Sequence, residues 1–143
     1  MKTREIGIGR MFFIKLEPSD DILEALTMFA ENNSIKSGFF TAIGAIKHAK
    51  IGYYQLNLKE YKTISLEGDF ELVSCIGNIT QKEGSPLIHA HIVIADANGH
   101  TYGGHLLPGC RISVTGEVFL IEAKNTLIRE VEDKFKLSLI KIK

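Results

Sequence analysis

The sequence has no tryptophan, two cysteines and three prolines in 143 residues, and each scarcity narrows the possibilities. Cys75 and Cys110 form no CxxC and are too few for a disulfide framework, so they read as small buried apolar residues in a reducing compartment. Pro18, Pro86 and Pro108 are scattered, and no Ser/Gly-rich or single-sign stretch marks a linker. No apolar run reaches the length of a signal-peptide core or a membrane span, which predicts a cytoplasmic protein that does not associate with membrane. An excess of one charge is also lacking, because 17 Lys plus Arg balance 17 Asp plus Glu. Non-specific nucleic-acid binding draws most of its free energy from basic side chains that neutralise phosphates, so this neutrality argues against direct contact with DNA or RNA. GxSxG and P-loop motifs are missing, and Gly7-Ile8-Gly9 is followed by Phe12 where a GxGxxG loop needs its third glycine.

What is present suffices for one core. Hydrophobic residues make up 45% of the chain, and a chain of this length buries roughly two-thirds of its unfolded surface. Residues 1–143 are expected to form a single domain. After Pro18, the residues Ser19, Asp20 and Asp21 offer N-cap oxygens, and Ile22, Leu26, Phe29 and Ala30 recur at helical spacing until Asn32-Asn33-Ser34. A second, short helix is predicted from Thr126 to about Phe135, with Leu127, Ile128 and Val131 on one side amid charged residues. Nearly everything else reads as strand: Arg10–Leu16, Gly38–Ile46, Lys50–Leu56, Tyr61–Glu67, Glu71–Ile79, Leu87–Ala95, Thr101–Leu107, Ile112–Ile121 and Leu137–Ile142. Strands that follow one another closely, with no helix between each pair, favour antiparallel order. The predicted class is α+β: a large, curled, mainly antiparallel sheet with one long helix packed on it and a second short helix.

The five histidines are unevenly placed. His89 and His91 form an HxH within Leu87–Ala95, so both point to one face of that strand and can converge on one ion. Val93 and Ala95 share this face, which is therefore half apolar and predicts cover from a curled sheet or a second subunit. Whether His105 joins the pair depends on the turn Asp96-Ala97-Asn98-Gly99-His100. A three-residue loop, Ala97–Gly99 with Gly99 left-handed, sets His105 directly opposite His91. A two-residue Asn98-Gly99 turn sets it opposite Ile92 and pointing away, unless a bulge at Gly103-Gly104 restores it. A lone histidine on such a strand is ordinarily a hydrogen-bonded, partly buried residue. The HxH with a third imidazole in reach shifts the reading toward a metal site at His89, His91 and His105, with His48 and His100 as solvated bystanders. Three neutral imidazoles suit zinc best, with nickel, iron or copper as other candidates, and three ligands leave a fourth position for water. Chemistry at such an ion needs a further acid or base. Glu117, alone in an apolar strand, is the first candidate and Glu71 the weaker one, and Arg111 is placed to bind a carboxylate substrate.

Leu87-Ile88-His89-Ala90-His91-Ile92, followed by Gly103-Gly104-His105-Leu106, resembles the plant and prokaryote conserved (PPC) domain. So do Gly44-Ala45-Ile46, Leu66-Glu67-Gly68-Asp69-Phe70-Glu71-Leu72 and Gly77-Asn78-Ile79. The likeness runs from about residue 8 to about residue 141. It implies an α+β domain that assembles as a homotrimer, with His89, His91 and His105 as metal ligands. Plant relatives join the domain to AT-hooks, Arg-Gly-Arg-Pro segments that enter the minor groove, and no such segment occurs here. The fold also resembles that of α-acetolactate decarboxylase, a zinc enzyme whose ion is held by three histidines. Three functions follow as expectations. The first is a metal-binding homotrimer, with zinc as the expected metal and an open coordination position that takes a small carboxylate or carbonyl ligand. The second is a metal-dependent lyase, decarboxylase or hydrolase of such a compound, and the third a DNA-binding or transcription-associated scaffold.

Overall fold

The segment after Pro18 folds as its pattern predicts. The computed structural model of the protein describes residues 1–142, and in it helix α1 spans Ile22–Asn32 with Ile22, Leu26 and Ala30 buried. Asp21 is the N-cap: its Oδ1 accepts from the backbone N–H groups of Leu23 (3.0 Å) and Glu24 (3.2 Å). Its Oδ2 accepts from Gly109 N–H at 2.6 Å, so one side chain both starts the helix and ties it to a distant loop.

The strands are β1 (Ile8–Leu16), β2 (Gly38–Gln55), β3 (Glu60–Lys82), β4 (Ser85–Ala95), β5 (Thr101–Leu106), β6 (Arg111–Ala123), β7 (Arg129–Glu132) and β8 (Leu137–Ile140). The first six form one antiparallel sheet in the order β1-β6-β2-β3-β4-β5. α1 packs against β4. Phe40, Ile46, Ile79, Ile92, Ile112 and Leu120 make up the centre of the core with the buried face of α1. Among the described residues no helix is long and apolar enough to cross a membrane.

Two expectations are corrected here. The sheet is not an open, curled one: β5 returns to pair with β2 through Ile51↔Leu106 and Gly52↔His105, so β2, β3, β4 and β5 close into a barrel. The reason lies in β2 and β3, each a continuous strand of 18 and 23 residues where the sequence pattern suggested two short ones. Register shifts at Ala42/Gly44 and Ile46/His48 bend β2, so that its first half pairs with β6 and its second half reaches β5. At the bend Gly44 has φ +152°, and a Cβ there would lie 2.1 Å from the Thr115 carbonyl oxygen.

The second correction concerns Thr126 to Phe135, which is not a helix; the chain has one helix among its described residues, and this stretch contributes β7 to a hairpin with β8. Helical periodicity fails because Ile128 and Val131 find no core and stay about half exposed (51% and 56%). The backbone instead bonds outward, with Leu127 C=O accepting from Gln81 N–H and Ile128 C=O from Lys141 N–H. Arg129, on the expected polar side, is the residue that becomes buried.

Cys75 and Cys110 are free and buried. Burial pushes their thiols up to about 12 and about 11 respectively, which leaves both as inert, small packing residues.

Candidate metal centre

The turn decides the site. Asp96 Oδ1 accepts from the N–H groups of Asn98 (2.9 Å) and His100 (3.0 Å), while Asp96 N–H donates to His100 C=O at 3.0 Å. Gly99, with φ +77°, donates to Asp96 C=O at 2.9 Å. The loop is therefore the three residues Ala97–Gly99, and His91 pairs directly with His105. Ile92↔Gly104 and Val93↔Gly103 follow without a bulge.

All three imidazoles consequently meet. Their ligand nitrogens lie within 4.8 Å of one another, and the ring centroids of His89 are 5.4 Å from those of His91 and 5.1 Å from those of His105. Tyr61 stacks on His105 at 4.7 Å with a 27° tilt. The backbones come close behind the site, since a Cβ on Gly104 would lie 2.9 Å from Gly52 O. The cross-strand row through the site runs Phe13, Phe119, Thr41, Ile76, His91, His105, from β1 to β5 along the outer face of the sheet.

One residue of this site escaped the sequence reading. Arg129, on β7, is only 7% exposed. Its Nε donates to Thr80 Oγ1 (2.9 Å) and its Nη1 to Ser138 C=O (2.8 Å). Nη2 donates to Asn78 Oδ1 (3.0 Å) and lies 3.2 Å from His89 Nδ1. An arginine can only donate, so in the metal-free protein His89 Nδ1 is the acceptor and the ring proton sits on Nε2, which must give it up for His89 to ligate through that atom. The only sequence signal for this was the β-branched pair Ile128 and Val131 flanking the arginine, which supports a strand as well as a helix.

The surroundings disfavour protonation of His89 and His105. Burial first, then Arg129 and His91, lowers the His89 pKa. His105 is pushed down to about 4, again by burial first and then by His89, His91 and Arg129. Its Nδ1 is a buried atom with no hydrogen-bond partner. Imidazoles that resist protonation, one of them with an orphaned ring nitrogen, suit a divalent transition metal.

A pH prediction follows for metal-free protein. The unfolded chain protonates His105 near 6.5 and the folded one only near 4, so its neutral form contributes stability that is fully present above 6.5 and lost as pH falls toward 4. Urea midpoints measured after chelation should decline over that window, and His105→Asn should flatten the decline. Identical pH slopes for the two proteins would contradict it.

The other candidates lie elsewhere. Glu117 is exposed on β6, opposite Lys15 and Ile43. Glu71 is exposed on β3, opposite Ala45 and Ala95. Arg111 is exposed at the start of β6 and donates to Ser19 C=O at 3.2 Å. Neither glutamate belongs to the histidine group. His48 pairs with Glu67, and the exposed His100 lies 3.3 Å from Asp96.

Comparison with known proteins bears on the same motifs. A family model for the Plants and Prokaryotes Conserved (PCC) domain matches residues 3–124. The chain belongs to this family. A plant- and prokaryote-conserved protein of Pyrococcus horikoshii superposes with a TM-score of 0.91 at 32% identity, covering 99% of this chain and 97% of that one. A metal-containing protein of Archaeoglobus fulgidus superposes equally well, with a TM-score of 0.91, 30% identity and 99% coverage of both chains. Among curated sequences, a bifunctional protein GlmU of Synechococcus sp. is 30% identical over 118 residues, 82% of this chain. The chain spans only 18% of that relative's length. A Staphylococcus aureus protein similar to α-acetolactate decarboxylase shares the fold alone, with a TM-score of 0.55 at 16% identity over 84% of this chain and 54% of that one. Arg129 lies beyond the end of the PCC match.

Proposed function

We propose that the protein is a homotrimeric metal-binding PPC protein in which His89, His91 and His105 hold zinc or a related divalent transition metal. The observation that carries this reading is the convergence of three imidazoles whose ligand atoms lie within 4.8 Å of one another. A donor set of nitrogen alone, without thiolate or carboxylate, suits zinc, and three protein ligands leave one position for water or a small carbonyl or carboxylate ligand. The description of the Archaeoglobus relative as metal-containing supports it. When bound, such an ion supplies Lewis-acid polarisation of a ligand oxygen.

The outer face of the sheet supports the trimer. Phe13 (57%), Phe119 (48%) and Ile76 (50%) are exposed along the row that ends at His91 and His105. An apolar strip of this kind on one chain is what a neighbouring subunit covers. A cytoplasmic location, in keeping with two free thiols, belongs to the same proposal.

Elemental analysis of protein purified without chelator, combined with sedimentation, tests both parts. The expected result is one metal per chain and a mass three times 15.9 kDa. Protein that carries no metal and takes up none from added zinc overturns the metal reading. A monomeric mass overturns the trimer.

A further inference from the structure

Arg129 is a buried cation with no carboxylate beside it. The Lys and Arg ion pairs among the described residues lie elsewhere, at Arg10–Glu122, Lys15–Glu17, Lys136–Asp133 and Lys141–Glu130. Burying an unpaired charge is costly, and a protein sustains it where a counter-charge arrives or the charge has a task. The groups that hold this guanidinium, Thr80 Oγ1, Asn78 Oδ1, Ser138 C=O and His89 Nδ1, are all neutral acceptors. They orient the fork without neutralising it. Four of its five N–H groups are used in this way, and the fifth, on Nη1, has no partner among the described residues.

Position gives the task. Nη2 lies 3.2 Å from His89 Nδ1, and the three imidazoles span no more than 4.8 Å between ligand nitrogens. One small molecule can therefore touch both the histidine centre and the guanidinium. The guanidinium keeps its full positive charge and one free N–H, on Nη1, to offer a carboxylate oxygen, and charge strengthens such a contact. The anchors are rigid: Asn78 and Thr80 belong to β3 beside His89, and Arg129 is paired to Ile140 across the β7–β8 hairpin.

We infer that Arg129 is the anion-recognising residue of the histidine centre, and that the ligand class is a small carboxylate held with its charge on Arg129 and an oxygen at the metal. The inference rests on the metal reading of the three histidines. It assigns to the β7–β8 hairpin the task of carrying the charge that selects an anion over a neutral oxygen ligand.

The test uses the full chain saturated with Co2+, whose visible absorption reports the open coordination position. Metal titration alone tests the reading beneath: a wild-type protein that shows no ligand-field bands on adding Co2+ removes the metal site and this inference with it. With the site loaded, oxalate and neutral imidazole are titrated against wild type, Arg129→Lys and Arg129→Met. Oxalate should bind Arg129→Met at least about 30-fold more weakly than wild type, the loss expected when a desolvated charge pair is removed. Arg129→Lys, which keeps the charge but not the fork, should fall between, and imidazole should bind all three alike. Equal oxalate affinities in loaded wild type and Arg129→Met overturn the inference, as does a parallel loss of oxalate and imidazole, which would mark a purely structural arginine. Should Arg129→Met fail to fold, the comparison of wild type with Arg129→Lys decides by the same criterion.

Discussion

His105→Ala should weaken zinc binding by at least on the order of 100-fold, since removing only an outer partner of a ligand costs 10–100-fold. The barrel should remain folded. The His105 ring has a buried Nδ1 without a partner, so truncation sacrifices no hydrogen bond of that atom. The strand pairing His91↔His105 and Gly52↔His105 runs through the backbone and survives the change. Competition with a chromophoric chelator at neutral pH measures the affinity, and circular dichroism the fold. His48→Ala is the control, because His48 is occupied with Glu67 outside the cluster. An affinity shared by His105→Ala and wild type would remove His105 from the ligand set.

Phe40→Ala should be the most destabilising single truncation of the core, at about 3–5 kcal/mol, which is the usual range for emptying a buried aromatic site. Phe40 is fully buried on β2 between Gly77 of β3 and Leu120 of β6. Its Cζ comes within 2.6 Å of where a Cβ on Gly77 would stand, so the ring fills the space that this glycine leaves. Neither neighbour is able to move in: Gly77 has no side chain, and Leu120 is itself buried in the core. A fall in melting temperature of roughly 10–20 °C corresponds to that loss in a chain of this size. Urea unfolding of metal-free protein at fixed chain concentration checks it, and a loss below about 1 kcal/mol would contradict the packing described.

The parts of the fold legible in the sequence are those encoded within a few residues. Asp21 capping a helix with buried Ile22, Leu26 and Ala30 is a local event that residue type and spacing specify. The HxH pair was legible for the same reason, but the turn after it was legible only as a choice between a three-residue and a two-residue loop, and with it the place of His105, until the hydrogen bonds of Asp96 and Gly99 decided for three. Barrel closure was not, since Ile51 and Leu106 meet over a long stretch of chain and no local period records the encounter. The continuity of β2 and β3 was hidden by the bulges that make it useful, which interrupt the alternation of buried and exposed residues. Arg129 was missed because a charged residue amid charged residues reads as surface. Only the distant partners Thr80, Asn78 and His89 give it an interior place.

Surface loops ordinarily gain and lose residues with little consequence. The loop Ala97–Gly99 has no such freedom, because its three residues set the phase of β5 against β4. Shortening it by one would turn His105 to the opposite face of the sheet without altering any ligand. Substitutions at Ala97 or Asn98 are compatible with an intact centre, whereas a single deletion there is equivalent to losing a histidine. The length of this exposed turn is thus as much a part of the histidine centre as the imidazoles it brings together.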